Sequence, residues 1–302
     1  MRSKFGDRLR TSEPLSRYTS ARIGGPAEFL IVAESAGELA EAVTEGWRLQ
    51  APFFILGGGS NMLVADAGAR GLVIVNRAKN VQFRDEGSGV SVWAESGCSI
   101  GTLARQCVLK GYSGLEWAAT VPGTVGGAVF GNAGAHGGDT ASCLRVAEIL
   151  HPDGTIRKYT AEELGFGYRT SVLKKESRKK GEGSGVVIAA EFGLTKDDPS
   201  KLQARVEEFV AHRKRTQPPG ASIGSMFKNP PGDYAGRLIE AAGLKGVRRG
   251  SAEISTVHAN FFVNLGDAKA TDVKALIDLA REAVRQKFGT ELELEIELVG
   301  EW

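Results

Sequence analysis

The 302-residue sequence predicts two or three domains that contain both helices and strands. Three observations support this. The chain is longer than one compact domain usually is. Apolar residues follow the two-residue period of strands in some segments and the helical period in others. A helical pattern ends at Pro218 and Pro219, which marks a boundary before a last domain.

Composition excludes several classes of protein. Hydrophobic residues make up 42% and charged residues 25%, as in ordinary globular domains. Lys and Arg total 38 and Asp and Glu 36, so the net charge is +2 and gives no general attraction to nucleic acid or anionic lipid. We therefore expect no nucleic-acid partner, and no apolar run reaches the ~20 residues of a membrane span.

The three cysteines and the N-terminus indicate the compartment. Cys98, Cys107 and Cys143 lack the spacing of a disulfide framework, which favours a reducing environment. Residues 1–14 are charged and lack the apolar core of a secretory signal. We expect a cytoplasmic protein.

Each element follows from a local pattern. Leu39, Ala42, Val43 and Trp47 recur at helical spacing, for example, and Gly111 ends a second helical pattern. Strands are predicted at 27–33, 53–56, 71–76, 90–94, 145–150, 155–159, 186–194, 260–264 and 291–299. Helices are predicted at 35–49, 99–110, 233–242 and 271–288 and after Pro199, and a charged surface loop at 174–185.

Two glycine-rich loops are candidate cofactor contacts. The strand ending at Leu56 runs into Gly57, Gly58, Gly59, Ser60 and Asn61, and such a loop can offer several backbone N–H groups to a pyrophosphate. The alternative is a tight turn packed on a neighbour. The second loop, with few charges, suits a pyrophosphate or ring of the same ligand, or else close helix packing. Its candidate residues are Pro122, Gly123, Thr124, Gly126, Gly127 and Ala128.

Three further segments carry polar groups suited to chemistry. Arg169 follows Tyr168 and could bind a carboxylate through two hydrogen bonds, or could face solvent. Ser225, near Lys228 and Asn229, could donate a proton or bind phosphate, but it lacks the Gly-x-Ser-x-Gly pattern of a hydrolase nucleophile. No metal site is predicted.

The last predicted strand alternates strictly. Glu291, Glu293, Glu295 and Glu297 fall on one face, and by pattern alone they form the solvated face of an edge strand.

In this order, the motifs resemble the UDP-N-acetylenolpyruvoylglucosamine reductase (MurB) family, nearly from end to end. The most specific matches are GGGSN at 57–61, PGTVGGAV at 122–129, FGYR at 166–169, GSMFKNP at 224–230 and HANFFVN at 258–264. The resemblance implies an α+β fold: an FAD-binding fold of the vanillyl-alcohol-oxidase type in two subdomains, residues 1–80 and 81–200, and an α+β substrate domain, residues 201–302, whose last strand carries Glu295 to the active site.

The resemblance also implies an activity and residue roles. Hydride passes from NADPH through non-covalent FAD to an enolpyruvyl ether on UDP-N-acetylglucosamine, which gives UDP-N-acetylmuramate. Arg169 and Glu295 would stabilise the enolate and Ser225 would donate a proton. Tyr168, Lys228 and Asn229 would bind substrate, with Lys228 near the UDP phosphates. We expect a monomer of the shorter family type, in which FGYR is followed directly by the basic loop.

Some positions depart from the family pattern, and two other functions stay open. Residues 119–121 replace a common Gly-Ile, and His136 and Asp139 stand where Tyr and Glu are frequent. An FAD-linked oxidase of the same fold would use oxygen, but no His is marked for covalent flavin attachment. A non-catalytic nucleotide-binding module would need neither Arg169 nor Ser225.

Overall fold

The computed structural model describes residues 1–85, 87, 89–177 and 185–302. Within them the strands are β1 (Arg10–Pro14), β2 (Pro26–Ala33), β3 (Phe53–Leu56), β4 (Met62–Val64), β5 (Ala69–Asn76), β6 (Val81–Asp85), β7 (Val90–Glu95), β8 (Tyr112–Ser113), β9 (Gly134–Ala135), β10 (Gly138–Asp139), β11 (Leu144–Leu150), β12 (Ile156–Tyr159), β13 (Val186–Lys196), β14 (Ala221–Ser225), β15 (Arg248–Arg249), β16 (Ala252–Ile254), β17 (Phe261–Asn264) and β18 (Glu297–Val299). The helices are α1 (Arg2–Phe5), α2 (Ala36–Arg48), α3 (Ile100–Leu109), α4 (Val125–Gly131), α5 (Thr140–Cys143), α6 (Val172–Ser177), α7 (Pro199–Thr216), α8 (Ala235–Ala241) and α9 (Ala270–Phe288).

The chain forms two compact units. The first comprises Met1–Leu9, Ile31–Gly58 and Ile74–Ala211, and the second comprises Arg10–Leu30, Gly59–Val73 and His212–Trp302. Within the second unit, β1 pairs antiparallel with the first residues of β2, with Arg10 opposite Leu30 and Glu13 opposite Ala27. The predicted division at residues 80 and 200 stays a prediction.

The first unit is organised around an antiparallel sheet of order β12-β11-β13-β7-β6, with β8 paired to β13. Helix α4 packs on β13 and β7. The core contains Val92, Leu103, Val125 and Phe192, which are all fully buried. Burial of these side chains, at roughly 1.5–3 kcal/mol each, holds the glycine-rich helix α4 in place.

The second unit contains the sheet β14-β17-β16-β15 and the parallel pair β4 and β18. Helices α8 and α9 pack together, and α9 also contacts β15 and β16. Its core includes Met226, Phe227, Leu276 and Ile296. Two of these residues flank predicted site residues, so the core fixes the backbone around Ser225 and Glu295.

Most predicted elements are confirmed to within two residues at each end. The helix predicted at 35–49 is α2, where Ser35 accepts a hydrogen bond from the Glu38 amide as an N-cap. The stretch 117–140 had no predicted element, yet it contains α4 and the β9–β10 hairpin. Its glycines hide the apolar period on which helix prediction depends.

The predicted strand at 291–299 is wrong in extent. Only Glu297–Val299 form a strand, paired in parallel with β4, while Leu294 makes an isolated bridge to Phe227. The chain changes partner between these two pairings, so the ladder breaks there. Alternation predicts which way side chains face, but it does not say which partner the backbone has.

The predicted loop at 174–185 is also wrong at its start. Residues 172–177 form α6, and Lys174 is buried. Residues 178–184 of this loop lie outside the described residues.

Candidate active site

The loop that follows β3 has the donors that an anion requires. Gly59 has φ +60°, and a Cβ there would lie 2.2 Å from the Tyr18 carbonyl oxygen, so only glycine fits. Within the described part of the chain, the amides of residues 58–61 donate no hydrogen bond. These N–H groups are therefore available to a phosphate.

In the first unit, the two predicted cofactor loops lie against each other. A Cβ on Gly57 would lie 2.6 Å from Thr124 Oγ1, and one on Gly58 would lie 2.9 Å from Gly123 Cα. Packing between the loops is thus sufficient to require glycine at 57 and 58. The sequence allowed two roles for these glycines, a tight turn packed on a neighbour and ligand binding. The observed contact between the loops is the first of these.

The start of α4 is anchored to the loop before α3. The Val125 amide donates to Cys98 O and the Gly126 amide to Ser96 O, both at 2.8 Å. Thr124 is the N-cap, and its Oγ1 accepts from the Gly127 amide. Gly127 is exposed, and the nearest atom to an added Cβ would be 3.7 Å away. Gly127 therefore offers an open backbone surface for a flat ligand, whereas Pro122 is exposed and Ala128 buried.

Within the first unit, Arg169 lines a cavity of about 560 Å³. Arg169 Nη2 donates to Gly134 O at 2.8 Å, and the guanidinium lies 5.6 Å from the centre of the Tyr168 ring. The Arg169 backbone is left-handed, with φ +54°. A non-glycine residue holds this conformation only where its surroundings determine it, as they often do at functional sites.

One residue that holds this turn was missed by sequence reasoning. The Asn132 side chain donates to Gly167 O at 3.1 Å, and its Oδ1 accepts from the Ala141 amide at 3.0 Å. It thereby joins the end of α4 to the turn that carries Arg169. The sequence shows that Asn132 lies within the glycine-rich segment GNAGA. No rule of residue spacing, however, predicts that its side-chain amide bonds to a carbonyl far away in the sequence.

The segment after β14 carries three predicted residues of the second unit. Ser225 is the last residue of β14. Lys228 Nζ lies 2.5 Å from Glu293 Oε1, so this cation is already paired with a carboxylate. Asn229 Oδ1 accepts a hydrogen bond from the Ala235 amide at the start of α8.

Glu295 lies at the change of partner before β18 and not on a strand, which corrects the expectation that the last strand carries it. Its amide donates to Met226 O at 3.0 Å, and its carbonyl accepts from Asn61 Nδ2 at 3.2 Å. The second unit thus brings together Asn61, Glu295 and the residue after Ser225. Arg169 belongs to the first unit, and its predicted pairing with Glu295 stays a prediction.

Comparison with known proteins identifies the family. Residues 27–160 match the FAD binding domain model. Residues 215–299 match the model of the UDP-N-acetylenolpyruvoylglucosamine reductase C-terminal domain. The UDP-N-acetylenolpyruvoylglucosamine reductase of Rubrobacter xylanophilus is 47% identical over 96% of this chain and 94% of its own. The chain belongs to the MurB family.

One further relative agrees in length, and one solved structure agrees in fold. The reductase of Chloroflexus aggregans is 44% identical over 96% of this chain and 97% of its own. The crystal structure of UDP-N-acetylenolpyruvylglucosamine reductase (MurB) from Thermus caldophilus matches with a TM-score of 0.79 and 38% identity, over 97% and 98% of the two chains. The predicted α+β FAD-binding fold is confirmed. Among the described residues no helix is long and apolar enough to cross a bilayer.

Proposed function

We propose that the protein reduces UDP-N-acetylenolpyruvoylglucosamine to UDP-N-acetylmuramate with electrons from NADPH. The observation that carries this proposal is the end-to-end match, at 38% identity and TM-score 0.79, to a solved reductase of that name. The two alternative functions, an oxidase and a nucleotide-binding module, account for fewer of the observed features. A nucleotide-binding module would not need Arg169 in its strained turn, and an oxidase would not need the GSMFKNP segment.

The residues present fit FAD. Among the described residues, the amides of 58–61 donate no hydrogen bond, which suits the pyrophosphate of FAD. The open backbone at Gly127, in the first unit, suits a ring. The loops would hold it without a covalent bond. When bound, FAD would supply the hydride transfer between NADPH and the substrate.

The chain's own residues manage charge and protons. Hydride addition to the enolpyruvyl double bond leaves negative charge on the carbon next to the carboxylate. Arg169 would stabilise that charge, and such a preorganised donor contributes about 100- to 1,000-fold in rate. Glu295 would assist in its protonated form or paired with the cation, since a bare carboxylate would repel the enolate. Ser225 would give its hydroxyl proton to that carbon, which completes the reduction.

Binding roles follow from the charges around Lys228. A UDP phosphate would bind the Lys228 ammonium, either in place of the Glu293 carboxylate or beside it. Tyr168, exposed at the cavity, and Asn229 would contact the sugar or nucleotide.

We further propose a cytoplasmic monomer with the substrate domain at 201–302 and FAD subdomains at 1–80 and 81–200.

An anaerobic titration tests this function. The purified yellow protein should be bleached by one equivalent of NADPH, and one equivalent of the enolpyruvyl sugar should restore the colour. Recolouring by air alone would instead support the oxidase. Protein without flavin absorbance and without either half-reaction would support the binding module.

A further inference from the structure

We propose that Asn260 is the positioning residue for Ser225 and Lys228. This inference rests on the reductase function proposed above. Asn260 lies in HANFFVN, a motif to which the sequence assigned no role. It touches neither predicted residue by its side chain, and it acts through the two residues that lie between them.

Three hydrogen bonds join Asn260 to that segment. Asn260 Oδ1 accepts from the Phe227 amide at 2.9 Å, and Nδ2 donates to Phe227 O at 2.8 Å. The Asn260 carbonyl also accepts from the Met226 amide at 2.8 Å. One side chain thus satisfies both backbone groups of Phe227, as a neighbouring strand would.

The opposite edge of the segment is bonded to the stretch that contains Glu295. The Lys228 amide donates to Glu293 O at 2.9 Å, and the Glu295 amide donates to Met226 O at 3.0 Å. Residues 226–228 therefore lie between Asn260 and the 293–295 backbone. A shift of this segment would move Ser225, Lys228 and Glu295 relative to one another.

A side-chain clamp is needed here because the strand ladder ends. The pairing of β14 with β17 shifts register between Ser222 and Ser225, and Gly224 has φ +85°. Such irregularities re-aim side chains and terminate pairing. Phe227 is 1% exposed, so without Asn260 its N–H and C=O would be buried without partners.

The test compares two variants with a matched control. Asn260→Asp keeps an acceptor for the Phe227 amide but removes the donor to its carbonyl, and Asn260→Ser shortens the side chain. In Asn264→Asp the donor to Ala21 O is removed in the same way, while the bonds accepted from Gly266 and Ala268 stay. Stopped-flow absorbance measures flavin reduction by NADPH and flavin reoxidation by the enolpyruvyl sugar separately.

We expect both Asn260 variants to retain FAD and near-normal reduction by NADPH. Reoxidation should slow by about 10- to 100-fold, the effect of losing a hydrogen bond to a buried group. Asn264→Asp should show no selective loss. Equal loss of both half-reactions, no loss, or failure of both variants to fold would overturn the positioning role. A wild-type protein that is never reoxidised by the substrate would instead overturn the proposed function.

Discussion

Gly58 packs on the backbone of Gly123 so closely that an added Cβ would lie 2.9 Å from the Gly123 Cα. The two glycines join the predicted cofactor loops of the first unit. Gly58→Val should therefore give colourless protein, because the side chain would separate the loops and block backbone approach. That variant alone does not distinguish loop packing from ligand contact.

Gly127→Ala makes that distinction. A methyl group here meets no protein atom closer than 3.7 Å, so stability should not fall. If FAD lies against α4, the methyl should weaken FAD binding at least about 10-fold by overpacking. Gly131→Ala is the control in the same helix, since an added Cβ there has no atom within 4 Å. Titration of apoprotein with FAD measures both, and equal affinities would remove Gly127 from the cofactor site.

Ser225→Ala should separate the two half-reactions. The hydroxyl is predicted to act on the substrate, so flavin reduction by NADPH should stay near normal. Reoxidation by the enolpyruvyl sugar should fall by about 100-fold or more, as expected for loss of a general acid. Ser222→Ala, in the same strand, is the control. An equal decrease in both half-reactions would make Ser225 structural.

The sequence was most informative where apolar period and caps agree. Helix α2 illustrates this, because Ser35, Leu39 and Val43 together define its start and its buried face. Helix α4 was not predicted, because glycine has no side chain to mark a period, although Thr124 caps it and Val125 and Val129 are buried.

The motifs predict the candidate site residues, but they do not predict the residues that hold those candidates in place. Asn260 and Asn132 act through hydrogen bonds to the backbone of residues 33 and 35 positions away. Such bonds depend on how distant segments meet. For the same reason the sequence could not show that Glu295 lies where the chain exchanges one partner for another.

Stability should fall in mild acid because of His258. Burial is the main cause that lowers the pKa of His258 in the folded protein, opposed by a backbone hydrogen bond; Lys245 lowers it further. The unfolded chain therefore binds a proton more readily, and the free energy of unfolding decreases as pH falls below about 6.5. His258→Gln should flatten that decrease in urea melts across this range. Parallel pH curves for both proteins would contradict this assignment.

Glu295 and Glu291 give the sharpest contrast between pattern and site. Alternation alone makes them equivalent, and an exposed Glu changed to Gln usually alters stability by less than ~0.5 kcal/mol. The Glu291 side chain is 75% exposed and lies 3.8 Å from Arg285 in a solvent-exposed ion pair, so Glu291→Gln should change neither half-reaction.

Glu295 differs because its backbone is bonded to both Asn61 and Met226, within the loop and segment predicted to bind cofactor and substrate. Glu295→Gln should slow flavin reoxidation by the enolpyruvyl sugar at least about 100-fold, the scale of one stabilising group in a preorganised site. Reduction by NADPH and the melting temperature should barely change, which separates chemistry from folding. Single-turnover reoxidation in both variants is the measurement. Equal reoxidation rates in the two variants would mean that Glu295 is a solvent-exposed residue like Glu291. Stabilisation of the enolate would then depend on Arg169.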